Sequence, residues 1–175
     1  ASGAGKSTLG LALMRLLPRT LIVSAESQVR LASRELLSLD EHALRDVRGR
    51  QVAMVFQEPI TALNPAMIVH GETDHRLARE RAIEMLDRVG IPDAADAARR
   101  FPHEFSGGMR QRLLLAMPLM LDPLLIIADE PTTALDPVRQ ARMLALLDQL
   151  RERSGTALML ITHDLDLVGE RCDRV

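Results

Sequence analysis

The one lysine of this chain lies in a glycine-containing segment at its start, Ala-Ser-Gly-Ala-Gly-Lys-Ser-Thr, whereas every other basic residue is arginine. Gly5, Lys6 and Ser7 match the last three positions of the phosphate-binding loop pattern G-x-x-x-x-G-K-[ST], whose first glycine would lie just before Ala1. Lysine offers a compact, flexible ammonium group where arginine would offer a planar fork. The segment therefore predicts a loop that holds a phosphate at the N-terminus of a helix, the alternative being an ordinary glycine-rich turn.

Each residue of the predicted loop can be given a role. Gly3 and Gly5 let backbone N–H groups turn toward a phosphate without interference from a Cβ atom. Lys6 would reach the β- and γ-phosphates, and the Ser7 hydroxyl would bind Mg²⁺. The apolar run over residues 9–17 predicts a helix that the following proline ends. The candidate ATP-binding residues are Ser2, Gly3, Ala4, Gly5, Lys6, Ser7 and Thr8.

Composition and charge disfavour several other classes of protein. A chain of 175 residues with a formal charge of -2 and interspersed acidic and basic residues lacks the basic stripe of a nucleic-acid-binding protein. It has no tryptophan or tyrosine and only three phenylalanines, which disfavours a base-stacking platform. A single cysteine, Cys172, excludes an internal disulfide bond and a cysteine-rich metal site. No apolar run approaches about 20 residues, so no membrane-spanning helix is predicted.

Apolar runs and turn residues predict alternating strands and helices. Residues 93–100 are predicted as a short helix or a loop. Gly90 and Gly155 are predicted to end helices, and Pro118 is predicted to kink or shorten the helix that contains it. This alternation predicts an α/β domain with a largely parallel sheet. The predicted strands are 21–25, 28–32, 51–56, 124–128 and 157–161, and the further predicted helices are 41–48, 76–89, 109–121 and one that begins after Asp136.

An acidic pair follows the buried strand predicted at residues 124–128. An enzyme that hydrolyses a nucleoside triphosphate needs a carboxylate for Mg²⁺ at the end of such a strand. Asp129 would hold the ion directly or through water, and Glu130 would polarise the attacking water as a general base. The alternative is an acidic pair that simply faces solvent. The sequence that follows, Pro-Thr-Thr-Ala-Leu-Asp at 131–136, makes the first interpretation the stronger one.

Further motifs resemble those of the ATP-binding cassette (ABC) ATPases and occur in the order that this family has them. Residues 105–112, Phe-Ser-Gly-Gly-Met-Arg-Gln-Arg, resemble the signature motif. Residues 124–130 resemble the Walker B strand with its catalytic glutamate. Gln57 matches the Q-loop glutamine, Asp136 the D-loop aspartate and His163 the switch histidine. Together with the phosphate-binding loop, these motifs extend the resemblance over the whole chain.

The resemblance implies a fold and a division of the chain. The expected fold is the α/β fold of P-loop NTPases, a RecA-like, mostly parallel sheet flanked by helices, with an added α-helical signature subdomain. The whole chain would be a single ABC ATPase domain, in which residues 1–56 and 122–175 form the catalytic core. Residues from about 57 to 121 would form the Q-loop and the helical signature subdomain.

The resemblance also implies how ATP is held and hydrolysed. Two such domains pair head to tail, so each ATP contacts the phosphate-binding loop of one subunit and the signature motif of the other. Glu130, His163 and Gln57 would be catalytic, and His163 would contact the γ-phosphate. Mg²⁺ would be held by Ser7, Gln57 and Asp129. The residues implied to contact the ATP of the partner subunit are Ser106, Gly107, Gly108 and Met109, with Asp136 in the adjoining D-loop.

Three stretches are similar to the importers of dipeptides, oligopeptides and nickel, namely residues 55–65, 101–112 and 128–136. This similarity implies a peripheral ATPase subunit on the cytoplasmic face of the bacterial inner membrane that powers the import of peptides or a similar solute. Its expected partners are a second ABC ATPase subunit, identical or paralogous, and integral membrane permeases whose coupling helix would meet the region after Gln57. A substrate-binding protein would be an indirect partner, and no nucleic-acid partner is expected.

The sequence departs from the family pattern in four respects. The strand that leads into the phosphate-binding loop, with the aromatic residue that stacks on adenine, would precede Ala1, and a further strand would follow Val175. The segment 67–76 is shorter than the family's helical subdomain, and Pro118 stands where the family has a helix former. We therefore expect a fragment, incomplete at both ends, with poor stability on its own. Two alternatives stay open: a soluble ABC-type ATPase that acts on chromosomes or in repair, and an inactive ABC ATPase fragment.

Overall fold

A computed structural model describes residues 5–55, 75–132 and 136–175 of the chain. Within these ranges, helices separate the three longest strands, as the sequence predicts. The strands are β1 (Arg30–Leu31), β2 (Arg34–Glu35), β3 (Val52–Val55), β4 (Leu125–Asp129) and β5 (Ala157–Ile161). The α-helices are α1 (Lys6–Leu13), α2 (Glu41–Val47), α3 (His75–Arg88), α4 (Ala94–Ala97), α5 (Gly107–Leu119), α6 (Pro137–Ser154) and α7 (Leu165–Arg171), and a 3₁₀ turn covers Pro102–Glu104.

The strands β3, β4 and β5 form one parallel sheet in that order. The central strand β4 is a continuous apolar run that ends in an aspartate, and its residues Ile127 and Ala128 are fully buried. A strand that is covered on both faces is expected to be apolar throughout, so the sequence of β4 fits its central position. The predicted largely parallel sheet is confirmed. Strand β4 lies one residue later than predicted because Asp129 still pairs with Ile161 of β5.

The side chains of β4 alternate between two apolar clusters on opposite faces of the sheet. Ile127 belongs to one cluster, together with Met14, which caps α1, and Ile161 of β5. Ile126 and Ala128 belong to the other cluster. Helix α1 therefore packs on one face of the sheet, and α3 and α5 pack on the other. The residues that α3 and α5 contribute to the second cluster include Met85, Leu86, Leu113, Ala116 and Leu119.

Helix α1 ends at Leu13 rather than at residue 17, so that prediction is wrong. Arg15 adopts a left-handed backbone with a φ of 50°, the conformation in which glycine usually ends a helix. Arg48 stabilises this ending from a distant part of the chain, because its Nε donates to the carbonyl oxygen of Met14 at 2.9 Å. The sequence offers no glycine at this point, yet the usual local bonds still close the helix, from the Arg15 N–H to the Ala12 carbonyl at 3.0 Å and from the Leu16 N–H to the Leu11 carbonyl at 2.8 Å.

The strand predicted at residues 21–25 does not form, and Ile22 is 93% exposed. The β propensity of a short apolar segment depends on a neighbouring strand and on burial, and neither is found for this segment in the described part of the chain. The strand predicted at residues 28–32 is only partly confirmed. The structure has a short antiparallel hairpin of β1 and β2, which turns through Ala32 and Ser33 with φ values of 45° and 72°.

The predicted helix ends are otherwise largely confirmed. Helix α3 stops before Gly90, whose φ is 73°, and α6 stops before Gly155, whose φ is 67°. Both glycines adopt the left-handed conformation that closes a helix without a Cβ penalty. Helix α5 begins at Gly107, earlier than predicted. It ends at Leu119 immediately after Pro118, which agrees with the predicted early end.

The predicted division into residues 1–56, 57–121 and 122–175 stays a prediction. The predictions for Gln57 and for the segment 67–76 fall largely outside the described residues. In the ranges that the structure covers, no helix combines the length and the apolar character that are needed to cross a membrane.

The close approach of α1 to the sheet can be tested at Gly10, where an added Cβ would lie 3.0 Å from Cδ1 of Ile161 and 3.3 Å from Cγ2 of Ile127. We expect Gly10→Val to lower the free energy of unfolding by about 1–3 kcal/mol in urea titrations, because overpacking forces neighbouring side chains to shift. Gly169→Ala is the control, since a Cβ in that part of α7 meets no atom within 4 Å. It should raise the stability by up to about 1 kcal/mol. An unchanged stability in Gly10→Val would contradict the packing described here.

Candidate active site

A side-chain hydrogen bond joins the N-terminus of α1 to the carboxyl end of β4. The Ser7 hydroxyl donates to Oδ1 of Asp129 at 2.9 Å. Ser7 lies in the first turn of α1, and Asp129 is the last residue of β4, with only 7% of its surface exposed. Asp129 shares a sheet face with Ile127, two residues earlier, and this is the face that α1 covers. The structure thus brings together two of the residues that were predicted to hold Mg²⁺.

The first turn of α1 has the features of an anion-binding site. Gly5 has a left-handed backbone with a φ of 79°, and its carbonyl accepts the N–H of Leu9 at 2.9 Å. The first N–H groups of a helix have no acceptors within the helix, and its N-terminus carries partial positive charge. Lys6 and Thr8 lie in the same turn, with Lys6 half-buried. The remaining predicted loop residues, Ser2, Gly3 and Ala4, lie outside the described residues.

The predicted catalytic residues Glu130 and His163 are in contact, with 3.2 Å between Oε1 and Nδ1. They follow β4 and β5, which are neighbouring parallel strands and so end at the same edge of the sheet. Glu130 has a left-handed backbone with a φ of 46°, and its N–H donates to the carbonyl of Ile161 at 2.8 Å. The imidazole is 59% exposed and the glutamate side chain 20% exposed, so a ligand can reach the histidine from solvent.

Asp164, which the sequence pattern did not single out, fixes the segment that carries His163. Its Oδ1 accepts the N–H of Leu167 at 3.2 Å and caps α7, and its Oδ2 accepts from Nε2 of Gln140 in α6 at 3.3 Å. The bond from the Leu167 N–H is the main cause that lowers the pKa of the Asp164 carboxyl, and the Gln140 bond acts in the same direction. An aspartate directly before an apolar helix is a capping pattern, and this signal could have predicted its role.

The signature residues lie on the other side of the sheet. Ser106 caps α5, since its hydroxyl oxygen accepts the N–H of Met109 at 3.3 Å. Gly107 and Gly108 form the first turn of α5, and a Cβ on either would meet no atom within 4 Å. Because α5 and α1 pack on opposite faces of the sheet, the signature residues do not join the group around Asp129. The chain thus carries two helix N-termini on opposite faces of the sheet.

Two further predicted site residues are Gln57 and Asp136. Gln57 lies outside the described residues. Asp136 precedes α6, and its carbonyl accepts the N–H of Gln140 at 2.9 Å. Pro137 is the first residue of α6, as predicted. The D-loop role of Asp136 and the catalytic role of Gln57 stay predictions.

The chain matches known proteins over almost all of its length. The family profile described as ABC transporter matches residues 1–133. The probable peptide ABC transporter ATP-binding protein y4tR of Sinorhizobium fredii is 46% identical over 99% of this chain and 55% of its own length. The oligopeptide transport ATP-binding protein OppD of Bacillus subtilis is 42% identical over 99% of this chain and 51% of its own length. The chain therefore spans about half the length of the curated relatives it matches.

Solved structures show the same architecture. The protein cbiO1 from Clostridium perfringens, part of the ABC transporter complex cbiONQ, superposes with a TM-score of 0.81 at 25% identity, covering 99% of this chain and 68% of that one. The dimeric bacterial ABC transporter cassette MJ0796 superposes with a TM-score of 0.70 at 27% identity, covering 95% of this chain and 73% of that one. These likenesses confirm the predicted P-loop NTPase fold. Since sequence motifs, relatives and solved cassettes agree, the chain belongs to the ABC transporter family.

Proposed function

We propose that this chain binds and hydrolyses ATP and thereby powers the import of peptides through membrane permeases. The observation that carries the proposal is the contact of Glu130 with His163 at 3.2 Å, beside the bond of Ser7 to Asp129 at 2.9 Å. A general base, oxygen ligands for a metal and an anion-binding helix at one edge of a sheet are what ATP hydrolysis requires. The relatives named as ATP-binding proteins support this assignment, as does the cassette MJ0796, which was solved with ADP and Pi.

The proposed reaction assigns one task to each side chain. Glu130 accepts a proton from the water that attacks the γ-phosphorus. A new P–O bond forms while the bond from the γ-phosphorus to the β–γ bridging oxygen breaks, so that ADP and inorganic phosphate leave. Lys6 and the N–H groups of the first turn of α1 hold the phosphates and balance their negative charge. His163 keeps the Glu130 carboxylate in position and can donate to an oxygen of the γ-phosphate.

The residues at this edge also fit a magnesium ion. The Ser7 hydroxyl and the Asp129 carboxylate supply oxygen, which is the ligand atom that Mg²⁺ prefers, and Gln57 is a third proposed ligand. Over the described ranges, no cluster of three or more His, Cys, Asp and Glu side chains could hold a metal ion by itself. Phosphate oxygens and water would therefore complete the shell, as they do for Mg²⁺ at nucleotide sites. The ion would neutralise part of the phosphate charge.

The proposed pairing of two subunits follows from the N-termini of α1 and α5, which lie on opposite faces of the sheet. If two subunits pair head to tail, the turn at Ser106, Gly107, Gly108 and Met109 of one subunit faces the ATP on α1 of the other. The dimeric cassette MJ0796 supports this arrangement. We further propose integral membrane permeases as partners, a substrate-binding protein as an indirect partner, and a peripheral position on the cytoplasmic face of the inner membrane. The names of the peptide transport relatives support these assignments.

We expect Glu130→Gln in the full-length protein to lower kcat for ATP hydrolysis by at least about 100-fold, because the amide keeps the shape of the side chain but cannot accept the proton. The affinity for Mg-ATP, measured by calorimetry, should be retained. A dimer should accumulate with ATP, because bound nucleotide is no longer hydrolysed. Glu152→Gln, at an exposed position near the end of α6, is the control and should hydrolyse ATP like the wild type. Absence of ATP binding in the wild type would instead support the inactive-fragment alternative.

Ser7→Ala tests the proposed metal ligands. The variant removes both an oxygen ligand and the hydroxyl that donates to buried Asp129. We expect the affinity for ATP in the presence of Mg²⁺ to fall about tenfold or more, the size of a lost bond to a charged group. Affinity for ATP in EDTA should change little. Ser38→Ala, an exposed serine, is the control. An equal loss with and without Mg²⁺ would argue against Ser7 as a metal ligand.

The proposed cargo is tested in cells. A strain that lacks this protein should lose the uptake of a labelled tripeptide, and the wild-type gene should restore it. The gene with Glu130→Gln should not restore it, because transport needs hydrolysis and not only binding of ATP. Copurification of the protein with permeases from detergent-solubilised membranes tests the partners. Normal tripeptide uptake in the deletion strain, despite measurable ATPase activity of the protein, would assign it another solute.

A further inference from the structure

One arginine ties the signature helix α5 to the end of α3. Nη1 of Arg112 donates to the carbonyl oxygen of Gly90 at 2.7 Å and to that of Val89 at 3.4 Å. These carbonyls lie where α3 has just ended, so no N–H of that helix is available to them. The end of a helix also carries partial negative charge, which the guanidinium group balances. Arg112 is therefore a cationic cap that one helix supplies to another.

A second arginine, Arg110, bonds to the segment that leads into α5. Nε of Arg110 donates to the carbonyl of Phe105 at 2.9 Å, and its Nη2 donates to the carbonyl of His103 at 3.2 Å. Both acceptors precede Ser106, the cap of α5. Arg110 thus anchors the start of α5 to its own leading segment, whereas Arg112 is bonded to a separate helix.

The apolar contacts between α3 and α5 lie beneath these bonds. Met85, Leu86 and Leu113 belong to the cluster that both helices share with the sheet. Next to this cluster, a cleft of about 520 Å³ opens between α3, α5 and α6, and Gly108 and Arg112 are among its lining residues. Apolar packing resists the separation of the helices but is non-directional, so it does not fix their rotation. Beside an open cleft, the directional bonds of Arg112 provide a specific link between α5 and the end of α3.

We infer that Arg112 is a positioning residue for the signature motif. It holds Ser106, Gly107 and Gly108 in the orientation in which they contact the ATP of the second subunit. This inference rests on the proposed function, since it assigns Arg112 a role in the contact between subunits. Arg112 itself is exposed, and hydrogen bonds that compete with water add little net stability. Its loss should therefore weaken ATP-driven dimerisation much more than it lowers the melting temperature.

The same bond can be broken from the acceptor side. A Cβ on Gly90 would lie 2.7 Å from Nη1 of Arg112, so Gly90→Ala should displace the guanidinium group. Gly90 also has a φ of 73°, which strains any other residue. Gly155 has a similar φ of 67°, and a Cβ there meets no atom within 4 Å. Gly155→Ala therefore carries the backbone strain without displacing a side chain, and it serves as the matched control.

The experiment uses the full-length protein with Glu130→Gln as the parent, because that variant retains bound ATP. ATP-driven dimerisation is measured by analytical ultracentrifugation, and ATP affinity of the separate subunit by calorimetry. We expect Arg112→Met and Gly90→Ala to weaken dimerisation about tenfold, because a displaced first turn of α5 would lose about one hydrogen bond to the charged phosphates of the second subunit's ATP. The affinity for ATP should stay unchanged. Arg112→Lys, which keeps a charged donor, should restore part of the dimerisation, and Gly155→Ala should match the parent.

Two outcomes would overturn the inference while leaving the proposed function intact. One is normal dimerisation of Arg112→Met in a background in which the parent binds ATP and dimerises. The other is a fall in the melting temperature of Arg112→Met large enough to account for its loss of dimerisation, which would make Arg112 a residue for folding and not for positioning. Failure of the parent itself to bind ATP or to dimerise would overturn both the proposed function and the inference that depends on it.

Discussion

The burial of β4 on both faces is the constraint on which the rest of the structure depends. Because no side of this strand meets solvent, its alternate side chains require apolar partners above and below the sheet. Helix α1 supplies them on one face, and α3 and α5 supply them on the other. The chain can place polar residues on this strand only where it leaves the core, and Asp129 and Glu130 stand there. The burial of β4 thus determines both the layered arrangement of the fold and the position of these two acidic residues.

This layering separates the two helix N-termini that we propose as phosphate-binding sites. The N-terminus of α1 meets Asp129 at the carboxyl edge of the sheet, while the N-terminus of α5 is held on the opposite face through Ser106 and its neighbours. The sheet lies between the helices that carry the two turns. In the proposed transporter, ATP would therefore be an element of the interface between two subunits, and the angle of α5 would decide how well that interface closes.

The sequence predicts the fold best where the information is local. Strands β3, β4 and β5 are continuous apolar runs, and glycines mark the ends of α3 and α6, so these elements could be predicted. The family resemblance also implies that Glu130 and His163 belong to one site, and the structure places them in contact. The end of α1 could not be predicted because Arg15, and not a glycine, takes the left-handed conformation that closes it. Residues 21–25 have β propensity but pair with no strand in the part of the chain that the structure describes, and the bond of Arg112 to Gly90 has no local sequence signal.

The left-handed backbone of Glu130 has a consequence for how this protein can evolve. A residue with a side chain costs free energy in that conformation, whereas glycine adopts it freely and asparagine with less strain than most. Stability alone would thus favour glycine or asparagine at position 130, but neither has a carboxylate that can accept a proton. If Glu130 is the general base that we propose, selection for a durable fold and selection for turnover act in opposite directions at position 130. On that proposal, the glutamate is kept because catalysis outweighs the backbone strain.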